Sequence, residues 1–307
     1  MIAVIDPVEP ARLQSELAPH AKLCGFRGLE IHTLAGDDYP QVMREIGRLR
    51  ESGFRRVGAG RNLDCDLDPL DFGSDAYHQL LAWDPVNQEI VAVYRYQLGF
   101  RALAAGDRVL RTSQLFEYSQ EFNHSIKPCS IELGRSVVNE QARRRALGLF
   151  ALWTGLHALL GLHDGIRYFF GNVSLYDSMD ATARSLAVAF LETHYQPPQT
   201  MLKARNGLQF TPRADHLAEV EKIDAATPDE RIRALRDLLK PYGEKVPPIL
   251  QSYMGLGRDI WFGQTAHDHD FGDALETGVI VPIETTRDSG AIERFQPKTN
   301  EGANHDK

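Results

Sequence analysis

The segment Ile131-Glu132-Leu133-Gly134-Arg135-Ser136-Val137-Val138 constrains this chain more than any other, because it writes an apolar strand that carries a carboxylate and a guanidinium three residues apart. A charge in an apolar interior is strongly disfavoured unless it is paired or hydrogen-bonded. Glu132 and Arg135 therefore need each other or a ligand. Strand residues alternate faces, so positions three apart point to opposite sides of a sheet. A β-bulge at Gly134 would add one residue, break the alternation and bring both charges to one face, and bulges of this kind recur beside active sites. The alternative is a plain ion pair at a sheet edge. The strand runs directly into Gln141-Ala142-Arg143-Arg144-Arg145-Ala146. There the apolar residues Leu149, Leu152, Trp153, Leu156, Leu159 and Leu160 predict a helix through residues 141–160, with Gly161 as its stop. A helix N-terminus with free N–H groups and added positive charge suits a phosphate. Solvated helix arginines are the plainer reading of Arg143, Arg144 and Arg145.

Around this centre the chain divides into four parts. Residues 1–28, with Pro7, Pro10 and Pro19, read as a partly ordered arm. Residues 29–195 form the predicted core: a strand at Ile31–Leu34, a helix over 39–54, and a hairpin of His78–Asp84 and Glu89–Leu98 joined by Pro85-Val86-Asn87-Gln88. After the central strand come a strand at Arg167–Val173 and a helix over 179–194. Pro197, Pro198 and the polar tract through Arg213 mark a boundary to a helical elaboration over 196–284, with helices at 214–223, 228–240 and Ile249–Met254. A late strand at Thr277–Ile283 completes the fold, and the polar tail 285–307 reads as disordered.

The chain has 307 residues and a formal net charge of −8, ample for a core and wrong in sign for nucleic acid as the main partner. A basic patch is still expected locally, from Arg143, Arg144 and Arg145 with Arg101, Arg108 and Arg111. Cys24, Cys65 and Cys129 are widely spaced and suggest neither a zinc knuckle nor a disulfide framework. No secretory leader and no run of about 18 apolar residues is seen, which predicts a cytoplasmic protein. Asp64, Asp66 and Asp68 imitate the opening of a calcium loop, but Pro69 stands where the turn needs glycine and Asp75 replaces the bidentate glutamate. His267-Asp268-His269-Asp270 reads as a polar loop rather than a metal site, and Gly58-Ala59-Gly60 lacks the setting of a dinucleotide fingerprint. Ser136 has no His-Asp companions nearby in sequence, which leaves a serine hydrolase a minor option.

Several further segments accompany the Glu-Leu-Gly-Arg-Ser block. They are Phe54-Arg55-Arg56-Val57-Gly58-Ala59-Gly60, Asp64-Cys65-Asp66-Leu67-Asp68, Leu80-Leu81-Ala82-Trp83-Asp84-Pro85 running to Ile90-Val91-Ala92-Val93-Tyr94-Arg95-Tyr96, and Leu115-Phe116-Glu117-Tyr118. Later come Tyr168-Phe169-Phe170-Gly171-Asn172-Val173-Ser174, Val246-Pro247-Pro248-Ile249-Leu250 and Asp270-Phe271-Gly272-Asp273-Ala274-Leu275-Glu276-Thr277-Gly278. Together, over roughly residues 30 to 284, the chain resembles the GCN5-related N-acyltransferase (GNAT) superfamily. More narrowly, it resembles the branch of ornithine- and glycine-lipid N-acyltransferases once labelled hemolysins. The resemblance implies an α/β fold: a GNAT-like mixed, mostly antiparallel central sheet with a bulged, splayed central strand, flanked by helices and extended by a helical C-terminal elaboration.

It also implies roles. Glu132 would be the general base, acting directly or through a water, Arg135 would orient it or hold the acceptor carboxylate, and Ser136 belongs to the same catalytic block. Gln141, Arg143, Arg144, Arg145, Asn172 and Ser174 would bind the acyl donor, while Asp66, Asp68 and Arg95 lie on the acceptor side. The superfamily's donor loop has a central glycine where this chain has Arg144, and a side chain there crowds a backbone cradle for pyrophosphate. That departure favours a donor carried on acyl carrier protein over free coenzyme A. The implied reaction moves a (3-hydroxy)fatty acyl group to the amino group of an amino acid, glycine before ornithine, to give an N-acyl amino acid lipid. It needs no metal or redox cofactor, the phosphopantetheine thioester being substrate, and contacts membrane only through its product. Two alternatives stand: a synthase resembling the acyl-homoserine-lactone enzymes, and a non-catalytic carrier-binding protein that keeps only the fold.

Overall fold

The structure is a computed structural model, and it describes residues 1–197, 199–257 and 259–284. The predicted disordered tail lies outside the described residues. In chain order the first half contains α1 (Pro10–Leu17), β1 (Cys24–Phe26), β2 (Leu29–Ala35), α2 (Pro40–Arg55), β3 (His78–Asp84), β4 (Glu89–Leu98), α3 (Arg101–Ala105), β5 (Phe116–Tyr118) and β6 (Ser130–Val138). The second half contains α4 (Gly148–Leu160), β7 (Tyr168–Leu175), α5 (Ala181–His194), β8 (Leu202–Ala204), α6 (Ala214–Val220), α7 (Pro228–Leu239), α8 (Pro248–Met254), β9 (Trp261–Asp268) and β10 (Ala274–Pro282).

Eight strands form one sheet in the order β1-β2-β3-β4-β6-β7-β10-β9. Neighbours are antiparallel except β6 and β7, which run parallel and are joined through α4, the crossover that a parallel pair requires. The strand carrying Glu132 and Arg135 is thus central, which rules out the edge ion pair. A short second sheet pairs β5 with β8.

Alternation along the strands sorts the core into layers. One face, with Ile31, Leu80, Ala92, Tyr94 and Leu133, packs under Leu152 and Leu156 of α4 and continues to α5, α7 and α8. The other face, with Leu34, Leu81, Val93 and Val137, packs on Val42, Met43, Ile46 and Leu49 of α2. Phe170 and Ile280 on β7 and β10 meet Phe116, Phe122 and Leu202 around the small sheet.

Two predicted boundaries move. The segment read as an arm holds α1, whose Leu13 and Leu17 are buried against the α2 layer, and β1, an edge strand of the main sheet. The helix expected from residue 141 begins at Gly148, after a 3-10 turn at Arg145–Leu147. The arginines therefore sit in the loop before the helix.

Candidate active site

The central strand is bulged, one residue later than the sequence suggested. Val93 pairs with Val137 and Arg95 with Gly134, so Arg135 and Ser136 together face Tyr94. Arg135, not Gly134, takes the left-handed φ of 55°. For a residue with a side chain that conformation costs on the order of 1–3 kcal/mol and persists only where the surroundings enforce it. Here the guanidinium lies over the rings of Phe271 and Phe54, at 4.5 and 5.6 Å, with Nε 3.2 Å from Asp66 Oδ2. The extra residue brings Arg135 to the α2 side of the sheet, the side on which Glu132 and Arg95 lie, as anticipated.

Glu132 and Arg135 nevertheless do not pair with each other. Glu132 is 1% exposed and accepts hydrogen bonds from the Tyr77 hydroxyl, from Arg111 N at 3.2 Å and from Thr112 N at 2.7 Å. Burial raises its pKa, opposed by the bonds from Thr112 and Tyr77. This carboxylate pins the 111–112 loop to the sheet and does not line the cleft described below.

Next to it is a buried charge cluster that sequence reading largely missed. Arg50 of α2 bonds Asp71 at 3.0 Å and Gln79 at 2.5 Å, and Arg95 reaches Asp71 at 3.2 Å and Asp68 at 3.1 Å. Against the raising effect of burial, Arg50 and Arg95 hold the Asp71 carboxyl well below the usual carboxylate range. Asp68 also closes a capping box with Asp71. Asp66 and Asp68, expected to meet an incoming ammonium, are engaged by Arg135 and Arg95 respectively.

Pairing between β6 and β7 stops at Leu133 and Gly171, although both strands continue. A Cβ on Gly171 would meet Leu133 O at 2.5 Å, so glycine permits the tight approach just before the strands part. Beyond that point no strand among the described residues pairs with the β7 side of residues 134–138. The opening leads into a cleft of about 600 Å³, its open mouth included, bounded by Gly134, Arg135 and Ser136 on β6 and by Asn172, Val173 and Ser174 on β7. Arg95, Arg111, Asp268 and Glu276 also line it.

Three guanidinium groups thus face one cleft. Arg95 Nε and Nη2 are buried without hydrogen-bond partners among the described residues, while Arg135 Nε is ion-paired with Asp66 and Arg111 with Asp268. Burial pushes the Arg135 pKa down to about 10 despite Asp66, with Arg95, Arg111 and Arg50 adding to the decrease. Asp268 ends β9 and is buried, so the polar-loop reading of that segment holds only for His269 and Asp270, which are exposed in the turn that follows.

The acidic group that sequence reading passed over is Glu276, the third residue of β10 and 1% exposed. Its carboxylate accepts from Asn172 Nδ2 and, at 2.8 Å, from Ser174 Oγ. Burial first and the Asp268 charge second push its pKa up to about 7, opposed by Ser174, Asn172 and Arg111. Asn172 and Ser174, expected to bond the donor's amides, hold this carboxylate with their side chains.

The donor-loop residues divide. Gln141, Arg143 and Arg145 are exposed. Arg144 folds back to donate to Arg27 O and lies 3.9 Å from Asp84. No side chain caps α4, which leaves its first turn open towards the loop. The single basic patch is corrected too. Arg101 follows β4 beside the start of β6, the arginine run follows the end of β6, and Arg111 turns inward. Ser136 lines the cleft, but no histidine is bonded to it among the described residues.

A mixed sheet with a bulged central strand splayed from its parallel neighbour defines an acyl-transfer fold of the GNAT class. Residues 49–154 match the family described as acetyltransferase (GNAT) domain. The chain is 33% identical over 306 residues to the glycine N(alpha)-acyltransferase of Bacteroides thetaiotaomicron, covering 96% of this chain and 90% of that protein. It is 32% identical over 293 residues to the glycine N(alpha)-acyltransferase of Phocaeicola vulgatus, covering 92% and 89%. The chain belongs to the GCN5-related N-acyltransferases, in their glycine/ornithine N-acyltransferase branch, and is an acyltransferase. Among solved structures, similarity extends to the CoA-dependent acyl-homoserine lactone synthase BjaI with SAM and isopentyl-CoA (TM-score 0.35, 19% identity, 48% of this chain and 67% of that chain). It extends also to the CoA-dependent synthase MesI (TM-score 0.36, 10% identity, 89% and 100%). Similarities of that size carry no residue-level argument. Among the described residues, no helix is long and apolar enough to cross a membrane.

Proposed function

We propose that the protein transfers a (3-hydroxy)fatty acyl group from acyl carrier protein to the amino group of glycine, releasing an N-acylglycine lipid. The observation that carries this reading is the two-sided cleft: along one wall a strand edge without a strand partner, along another the Arg95 Nε and Nη2 donors without hydrogen-bond partners, both among the described residues. An extended pantetheine arm is a chain of amides, and the free edge of β6 offers it the main-chain bonds that β7 gives up. The same N–H groups would receive the negative charge that a thioester carbonyl develops on attack. A guanidinium with free N–H donors suits a carboxylate, so Arg95 and Arg135 hold the amino-acid end.

Nucleophilic attack is direct, with no acyl-enzyme on Ser136. Glycine is favoured because the near full-length relatives bear that activity in their names. Carrier protein is favoured because Arg143 and Arg145 stay exposed at the loop before α4, ready for an acidic surface, while Arg144 replaces the loop glycine. The enzyme works in the cytoplasm and meets membrane through its product.

The test supplies the purified protein with 3-hydroxyacyl thioesters of carrier protein or of coenzyme A, with glycine, ornithine or S-adenosylmethionine as acceptor, and identifies products by mass spectrometry. N-Acylglycine from the carrier-bound donor, with a rate that falls as salt rises, is the expected outcome. Lactone formed from S-adenosylmethionine would overturn the acceptor. Equal use of both donors without a salt effect would overturn the carrier.

A further inference from the structure

An acceptor amine reaches the cleft as an ammonium ion and cannot attack until it loses a proton. The group that takes it must line the cleft, be fixed in place and keep a lone pair available. Glu132 fails the first condition, since its oxygens are turned to Tyr77 and to the 111–112 main chain. Asp268 lines the cleft but its charge is matched by Arg111, and Asp66 and Asp68 do not line it. Glu276 meets all three conditions. It sits on β10, beside β7, and lines the same cleft as Arg95, Arg135 and Ser136. Its oxygens each receive one side-chain bond, from Asn172 and from Ser174, and a carboxylate has about four acceptor sites in all.

We infer that Glu276 is the catalytic base that accepts the proton of the acceptor's ammonium group, with Asn172 and Ser174 as the residues that position its carboxylate. The inference rests on the amine acylation proposed above. The proton moves from the ammonium to Glu276 and on to water. The freed amine attacks the thioester carbon, forming the C–N bond. Collapse of the tetrahedral intermediate breaks the C–S bond, and a second nitrogen proton leaves with the thiol. Amide, thiol and one released proton are the products.

The surroundings suit this work. Burial and the Asp268 charge push the Glu276 pKa up to about 7, where a base is still ionised in part and strong enough to accept. The charged and titratable groups that face it are Asp268 from β9, Arg111 from the loop before β5, Tyr176 beyond the end of β7, and Arg95 of β4 and Arg135 of β6 in the same cleft, with Asn172 and Ser174 as neutral donors. Among these, the Tyr176 hydroxyl stays protonated, its pKa pushed up to about 12 by burial and by Glu276.

Steady-state rates with glycine, between pH 5.5 and 9, test the assignment in the wild type, Glu276→Gln and Ser174→Ala. The wild-type kcat/KM should rise with pH through about 7 and then level. Glu276→Gln should lose about 10²- to 10⁴-fold and the rising limb with it. Ser174→Ala should move the limb to higher pH, since it removes a bond that favours the charged carboxylate. Aminooxyacetate keeps a carboxylate but carries an amine already neutral at pH 7, so Glu276→Gln should use it nearly as well as the wild type does. That result also shows the variant to be folded. A Gln variant that acylates glycine at wild-type rate with the limb intact, or that fails equally with both acceptors while melting normally, would overturn the role of Glu276. A wild type that acylates neither amine would instead sink the amine-acylation reading itself.

Discussion

Two carboxylates, Glu132 and Glu276, are each about 1% exposed in the same sheet, yet their nests differ in kind. Glu132 is held by two main-chain N–H groups and a phenol, and its bonds fasten a loop to the central strand. Glu276 is held by two side chains, beside a second carboxylate, and it lines the cleft. Burial alone does not separate a structural acid from a working one. What separates them is whether the donors belong to the scaffold being held or to a shell that fixes the acid for something else.

The comparison is sharpened most by removing each acid in turn. Glu276→Gln is expected to lose turnover by about 10²- to 10⁴-fold while keeping its fold. Glu132→Ala should do the reverse. It leaves the Tyr77 hydroxyl and the Thr112 N–H without acceptors, at about 1–3 kcal/mol for each orphaned donor, so its melting temperature should fall sharply.

Stability against pH gives the next effect. Glu276 titrates near 7 when folded and near 4.5 when unfolded, so its contribution is most favourable below 4.5 and declines as pH rises to 7. The ionised side chain then weakens the fold by about 3 kcal/mol. Glu276→Gln should therefore gain stability relative to the wild type across that window, measured by denaturant unfolding at each pH. Asp71 carries the opposite sign. Its folded pKa is depressed, so its contribution is present above its unfolded value of 3.8 and is lost as pH falls below it, and Asp71→Asn should flatten that acid limb.

A smaller effect is expected at Arg135. Arg135→Lys keeps the charge but loses the planar fork, and a charge-assisted bond is worth about 1.5–3 kcal/mol, so the KM for glycine should rise about 10- to 100-fold while that for the donor stays. A matching rise for both substrates, with an early melt, would make Arg135 a partner of Asp66 and nothing more. Smallest is Arg145→Ala, which should slow carrier-bound donor use a few-fold at low salt and leave coenzyme A thioesters untouched.

Much of the fold was legible because local pattern and tertiary role agree. The hairpin His78–Asp84 and Glu89–Leu98 has the boundaries its alternation and turn imply. The central bulge was legible as a need to place two charges, though its position was not, since the left-handed residue is an arginine held by Phe54, Phe271 and Asp66 rather than the adjacent glycine. The arginine run looked like a helix start because its apolar spacing continues the helix, yet α4 begins only at Gly148. The proposed base was hidden for a different reason. Glu276 lies in a late strand with no charged neighbour in sequence, and its partners Ser174 and Asn172 precede it by 102 and 104 residues. Asp71 was hidden likewise, because Arg50 and Arg95 come to it from a helix and a strand. Distances of that order are set by sheet topology, and no spacing rule carries them.

The pH dependence of kcat/KM for glycine, measured side by side for Glu132→Gln and Glu276→Gln, tests the central claim most directly. The expected result is a surviving rise through about pH 7 in Glu132→Gln and a low, flat profile in Glu276→Gln. A flat profile in Glu132→Gln, with the rise retained in Glu276→Gln, would contradict it and return the chemistry to the central strand.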